Sequence, residues 1–212
     1  MIMSTYIESL NWRYATKKFD ATKKVSKEDL DSLLEATKLS ASSFGLQPYQ
    51  IFVVENAEIR SKLRPAAWDQ SQITDASHLI VLANQNTFGA ELVEEYVENV
   101  SATRGIPAEG LKGYADFMKS KLVPLSEDAK AVWTAKQTYI ALGNLLSAAA
   151  INKIDACPME GFDADQFNNI LGLTEKGLNT SVLVAIGYRS EEDETQHYKK
   201  VRKSKENLIT HI

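Results

Sequence analysis

The 212-residue sequence predicts a single α+β sandwich domain. Three observations lead there. Helix-type and strand-type segments alternate irregularly instead of forming a βαβ ladder. The strand candidates are short continuous apolar runs, the pattern of central strands covered on both faces. The G-x-G-x-x-G fingerprint of a Rossmann turn is absent. A chain of this length, 44% hydrophobic and 25% charged, supports one substantial core, and neither a repeat nor a low-complexity linker marks a second domain.

Taken in order, Ser26 precedes an amphipathic run, with Asp29 three residues on as a carboxylate version of the capping box and Val25 with Leu30 as a hydrophobic staple. The spacing predicts a helix from about Lys27 to Leu39 whose inner face carries Leu30, Leu33, Leu34 and Thr37. Gln50 to Val54 and Leu79 to Ala83 read as strands. From Phe88 to Asp128 the chain turns polar, with Gly105, Pro107, Gly110 and Pro124 punctuating about two helices in a variable excursion over the core. Glu127 to Asn152 has helical spacing throughout and is apolar on more than one side, through Trp133, Tyr139, Ile140, Leu142, Leu145, Leu146 and Ala149. It is the expected central helix. Asp155 to Met159 follows as a short strand, Asp163 caps a short helix, and Thr180 to Tyr188 is the clearest strand. The tail from Glu191 shows little periodicity until Asn207 to Ile209.

Charge and cysteine usage exclude several classes. With 24 Lys+Arg against 28 Asp+Glu, the net charge is -4, which gives no basic field for a nucleic-acid backbone. The single Cys157 has no disulfide partner and no CxxC or H-x-x-x-H pattern beside it, so a reducing cytoplasm is expected and no metal site. The first residues lack the features of a secretory signal, and no apolar run reaches the ~18 residues that span a bilayer. His78, His197 and His211 lack a Ser or Cys partner at informative spacing, and His78 reads as a structural residue at a strand start.

Four segments carry chemistry. Arg13-Tyr14-Ala15-Thr16-Lys17 places two cations four apart, on one face if helical and close together in an irregular turn. An isolated Arg-x-x-x-Lys is ordinarily solvated surface. Two such cations also neutralise a phosphate monoester, Arg through its planar fork and Lys as a mobile point charge. Ser42-Ser43-Phe44-Gly45-Leu46-Gln47-Pro48, preceded by Ala41, offers hydroxyls and amides, or is simply a loop before a strand. Pro158-Met159-Glu160-Gly161-Phe162 sets a glycine, which admits close approach, beside a carboxylate. Lys199-Lys200-Val201-Arg202-Lys203 is a basic run in an acidic chain.

Together these segments resemble the nitroreductase family over nearly the whole chain, least between Phe88 and Asp128. The resemblance implies a central, mostly antiparallel sheet flanked by helices, in an intertwined homodimer with FMN at the interface. Arg13, Tyr14, Ala15 and Lys17 would contact the flavin phosphate, ribityl chain and pyrimidine edge. Ala41, Ser42, Ser43 and Gln47 would reach the flavin of the other subunit. Gln70 and Gln72 would meet the pyrimidine ring; some relatives carry Lys where this chain has Gln72, which leaves Lys17 as the main cation at the N1/O2 edge. The Pro158-Met159-Glu160-Gly161 loop would cross one face of the ring, with the Glu160 and Gly161 amides near N5. Lys200 and Arg202 would add charge at the phosphate. The implied reaction is ping-pong hydride transfer from NAD(P)H to an electron-poor acceptor such as a nitroaromatic, quinone or pteridine, with no acid-base triad. Tyr114 and Phe117 are candidate aromatic walls for that acceptor. An FMN store or sensor with little turnover is the alternative that keeps the same motifs.

Overall fold

The computed structural model describes residues 2–212, with side chains from Thr5 onward. Helix α1 (Ile2–Trp12) and α2 (Lys27–Lys38) precede strand β1 (Tyr49–Val54), α3 (Ala57–Ala66), the single turn α4 (Gln72–Asp75) and β2 (His78–Gln85). Then come α5 (Glu91–Arg104), α6 (Lys112–Leu122), the long α7 (Glu127–Ile151), β3 (Asp155–Met159), α8 (Ala164–Leu171), β4 (Leu178–Gly187) and the short α9 (Lys205–Leu208). The strands form one sheet in the order β1-β2-β4-β3, every pair antiparallel.

Alternation along the central strands builds two cores, because successive side chains of a strand point to opposite faces. Leu79 and Val81 of β2, with Leu183 and Ala185 of β4, meet Leu63, Ile73 and Phe167 of the helices on one face. Ile80, Leu82, Val182 and Val184 meet Leu30 and Leu33 of α2 and Ala141, Leu142 and Leu145 of α7 on the other. A third cluster, of Phe88, Leu92, Val93, Met118 and Leu122, ties α5 to α6 and takes in Leu46 from the serine loop. β2 is covered on both faces as its apolar run predicts. β1 is not: it is an edge strand, and most of it is half-exposed. The continuous run therefore overstated its burial, since a strand paired on one side only is free to leave one flank open.

The local signals account for most helix ends. Ser26 Oγ accepts from the Asp29 amide at 3.0 Å, and the buried Val25 and Leu30 sit in one core, so the cap and the staple both form. Replacing Ser26 with alanine is expected to cost about 1 kcal/mol in urea unfolding without changing the fold. Asp163 caps α8 by accepting from the Gln166 amide at 3.0 Å. The sequence reading passed over α1 as an element and over α3. The latter is short and carries Pro65 within it, and it is held by its buried Arg60, which donates to the carbonyls of Ile73, Ala76 and Ser77 at 2.6, 2.6 and 3.1 Å. His78, buried at the start of β2, meets Ser77 Oγ at 3.0 Å and Glu55 Oε1 at 3.1 Å, a structural role. Among the described residues, no helix is long and apolar enough to cross a membrane.

Candidate functional site

Helix α1 ends at Trp12, so Arg13 to Lys17 is an irregular strip, not a helical turn. Ala15 bridges Ala156 in parallel, which lays the strip along the outer edge of β3. Arg13 and Lys17 thus lie at the two ends of a non-helical strip, and the chain bends at Lys17 and Lys18.

The strip is fixed by a residue far away in sequence. Asp193, 1% exposed, accepts from the Lys17 amide at 2.8 Å, the Lys18 amide at 3.2 Å and the Tyr14 hydroxyl at 2.9 Å through Oδ2. Its Oδ1 accepts from the Thr195 amide at 3.1 Å and hydroxyl at 2.5 Å. Burial alone raises this carboxyl, but the bonds from Thr195, the two amides and Tyr14 outweigh it and push it down to about 2. A second staple stands behind: Asp155, buried at the start of β3, takes a forked pair from Arg189 at 2.6 to 3.1 Å, and the Arg189 guanidinium lies over the rings of Trp12 and Tyr14 at 4.4 and 4.6 Å.

Against this frame lies a groove of about 490 Å³, lined by Trp12, Arg13, Tyr14, Ala15 and Pro158 on one side and by Tyr198, Lys200 and Arg202 on the other. The tail run, though exposed, returns to this groove: Lys200 Nζ donates to the Arg13 carbonyl. Burial and then the Arg202 charge pull the Arg13 guanidinium below its ordinary value, and burial, Arg13 and Arg202 do the same to Lys200. Among the described residues, no carboxylate pairs with Arg13, Lys200 or Arg202, and Arg13 Nε is buried without a hydrogen-bond partner. Three converging cations with an orphaned donor form a site short of an anion.

Cys157, next to Pro158 in β3, is buried. Burial raises its thiol, while the Lys17 charge, a hydrogen bond with Gln72 and the Arg13 charge pull the other way. Beyond Pro158 and Met159 the loop turns outward. Tyr139 of α7 donates to Glu160 Oε1 at 2.5 Å, and Gln70 Nε2 donates to the Gly161 carbonyl at 2.8 Å. Tyr139 is raised to about 12 by burial and by that bond, so it keeps its proton and Glu160 is the acceptor.

Ala41, Ser42, Ser43 and Gln47 are not brought to this groove. Ser42 Oγ accepts from the Gln47 amide at 3.0 Å, the Ser43 amide donates to Gln137 Oε1 of α7 at 2.8 Å, and Gln47 Nε2 donates to the Lys38 carbonyl at 2.8 Å. Gln137 and Tyr139 are two residues apart on a helix, about 200° around its axis. Helix α7 therefore separates the serine loop of a chain from that chain's own Glu160. The loop is backbone-strained, with φ of 57° at Phe44 and 43° at Gln47, and Phe44 meets the rings of Tyr114 and Phe117 edge-on at 6.5 and 6.3 Å. The candidate aromatic walls thus belong with the serine loop.

Sequence reasoning missed Asp193 and Tyr139 as site residues. Asp193 sits in an acidic run from Glu191 to Glu194 that looks like solvated surface; the Thr195 two residues on, a local turn partner, was its only signal. Tyr139 was counted as one apolar residue of a helix face.

Comparison with known proteins bears on the family and the fold. The sequence model of the nitroreductase family matches residues 10–188. A Staphylococcus saprophyticus protein whose name is that of an NAD(P)H nitroreductase is 38% identical over 98% of this chain and 97% of its own length. A similarly named Bacillus subtilis protein, YfkO, is 40% identical over 86% of this chain and 88% of its own. Among solved structures, the B. subtilis nitroreductase ydfN superposes with a TM-score of 0.88 at 20% identity, covering 99% of this chain and all of the other. A nitroreductase of Exiguobacterium sibiricum, solved in complex with FMN, gives 0.82 at 19% identity over 98% and 97%. With the family model matching most of the chain and relatives of such identity spanning it from end to end, the chain belongs to the nitroreductase family.

Proposed function

We propose that the protein is an FMN-dependent oxidoreductase that carries hydride from NAD(P)H to an electron-poor acceptor, a nitroaromatic, quinone or pteridine, with both substrates using one open face in turn. The observation that carries this reading is the unpaired cation cluster of Arg13, Lys200 and Arg202 with its orphaned Arg13 Nε. A phosphate monoester brings close to two negative charges and three acceptor oxygens, the complement of that donor set. Names among the relatives refer to NAD(P)H, and one structural neighbour was solved with FMN.

Arg13, Lys200 and Arg202 would hold the phosphate, with Tyr14 and Ala15 along the strip. Lys17, Gln70 and Gln72 would face the pyrimidine edge, and Pro158, Met159, Glu160 and Gly161 the ring. Bound FMN would supply the two-electron relay, gathering negative charge along its pyrimidine edge on reduction. Lys17 favours that charge, while the protein itself needs no acid-base triad, only a fixed separation between donor and acceptor. Lys17→Ala is therefore expected to retain FMN but to make its potential more negative by roughly 20 mV, about 1 kcal/mol for a two-electron couple, and to slow reduction by NAD(P)H. Spectroelectrochemical titration checks it; an unchanged potential removes Lys17 from the ring edge.

Ala41, Ser42, Ser43 and Gln47 would complete the site of a second copy, since α7 separates them from their own groove. An apolar face of α7, with Tyr139 and Ile140 exposed, and a tail exposed from Lys199 onward support a homodimer. Light scattering should return twice the chain mass. The lone buried Cys157 fits a reducing compartment, which supports a cytoplasmic activity.

The deciding experiment is the visible spectrum of the purified protein before and after anaerobic NADH or NADPH. Flavin absorbance that bleaches supports the enzyme. Flavin that stays oxidised with both donors makes the protein a flavin store or sensor, and a protein that takes up no FMN defeats the site assignment.

A further inference from the structure

The Glu160–Gly161 dipeptide is held from three sides. Tyr139 takes the Glu160 carboxylate and Gln70 the Gly161 carbonyl. The third contact is the indole of Trp68, which lies over the Gly161 Cα. A Cβ at position 161 would come within 2.7 and 2.9 Å of two indole carbons and 3.2 Å of Gln70 Nε2. Gly161 is not among the residues with positive φ, so the backbone conformation there is open to any residue, and the indole is what excludes a side chain.

The posture of Trp68 is costly. Trp68 and Asp69 both have left-handed backbones, with φ of 56° and 55°, each costing roughly 1 kcal/mol or more for a residue with a Cβ. The turn is pinned by the Asp69 amide on the Arg64 carbonyl at 3.1 Å and by Arg64 Nε on the Asp69 carbonyl at 3.2 Å. Yet the indole is 73% exposed, so burial in the core does not account for it. What the strained turn achieves is to set a flat, rigid side chain against Gly161 while Gln70, two residues on, takes the same residue's carbonyl.

We propose that Trp68 is a positioning residue that clamps the Glu160–Gly161 backbone in the orientation presented to the flavin ring, and that position 161 is glycine to admit the indole. The proposal rests on the FMN reading above for its functional consequence, while the clamp itself is a property of the chain alone.

The test compares Trp68→Ala, Gly161→Ala and the double variant of the full chain. Each single change is expected to weaken FMN binding about tenfold and to shift the flavin potential in the same direction, with the melting temperature of the apoprotein little changed because Trp68 is exposed. The double variant should be no weaker than Gly161→Ala, since the new methyl group already displaces the indole; such non-additivity is the signature of two residues acting through one contact. Trp68→Phe should recover part of the affinity. A double variant weakened about a hundredfold, the product of two independent tenfold losses, overturns the clamp, as does a Trp68→Ala protein with the affinity and potential of the parent. If the parent takes up no FMN, the flavin reading fails by itself and the apoprotein still decides the clamp. Gly161→Ala should then red-shift the component of tryptophan emission that Trp68→Phe abolishes, and unshifted emission refutes the contact.

Discussion

Replacing Asp193 with alanine is expected to cost about 3 kcal/mol of folding stability and to weaken FMN binding on the order of 100-fold. Among the described residues, the carboxylate is the sole acceptor for the Lys17 and Lys18 amides and for the Tyr14 hydroxyl, and it closes the Thr195 turn as well. Truncation leaves several donors in a mostly buried setting without partners, and each such loss carries a desolvation penalty. The effect on binding follows from position. Arg13 and Lys17 are neighbours of the anchored residues, so the strip that presents them is released together with its anchor. Asp193→Asn tests the charge separately. Both carboxylate oxygens act only as acceptors, so an amide must turn its NH2 toward one set of donors, and about half of the stability loss is expected. The pH dependence has a definite sign. The folded carboxyl titrates at about 2, below its ordinary value of 3.8. Its contribution, on the order of 2 kcal/mol, is therefore complete above pH ~5 and is lost as the pH falls through about 2. Urea unfolding of the parent and Asp193→Ala proteins between pH 2 and 6 should show the two curves converging at the acid end; a constant gap would remove the carboxylate from this role.

The fold was legible wherever one local rule decided the outcome. Ser26 and Asp163 announced their helices because a capping side chain acts within three residues. The Leu79 to Ala83 run announced a central strand because burial on both faces needs an unbroken apolar sequence. The same rule failed for β1, whose Gln50 to Val54 run is apolar from Ile51 onward but lies at the edge: which strand ends the sheet is a property of topology, invisible to any single segment. Helix α3 escaped notice because its stability comes from Arg60 reaching carbonyls 13 to 17 residues away. For the site the division is similar. Arg13, Lys17, Lys200 and Arg202 were readable as cations in suggestive runs. That Lys200 and Arg202 return to within reach of Arg13 depends on a tail path that no periodicity encodes. Asp193 and Trp68 were the least legible, since one is disguised by acidic neighbours and the other matters through contact with a glycine that has no side chain to signal it.

The second large effect is expected for Arg13→Ala, which should weaken FMN binding about 30- to 100-fold, or 2 to 3 kcal/mol, as befits a charge-assisted donor to phosphate. It should do so without destabilising the apoprotein. Among the described residues Arg13 has no carboxylate partner and its Nε has no hydrogen-bond partner, and its guanidinium is pulled down by burial and by Arg202. Removing it relieves repulsion with Arg202 and Lys200, so the apo melting temperature should hold or rise while cofactor retention falls. That opposition separates a binding residue from a structural one: Asp193→Ala lowers both quantities, and Arg13→Ala lowers only one. Salt sharpens the distinction, because a phosphate held by three converging cations binds less tightly as ionic strength screens them, and the slope should be shallower once one cation is gone. Fluorescence titration of FMN into parent and variant apoproteins at several salt concentrations, beside their thermal unfolding, measures both. An Arg13→Ala protein that binds FMN as the parent does would move the phosphate away from this groove, and one that simply unfolds would make Arg13 a structural residue whose partner lies elsewhere.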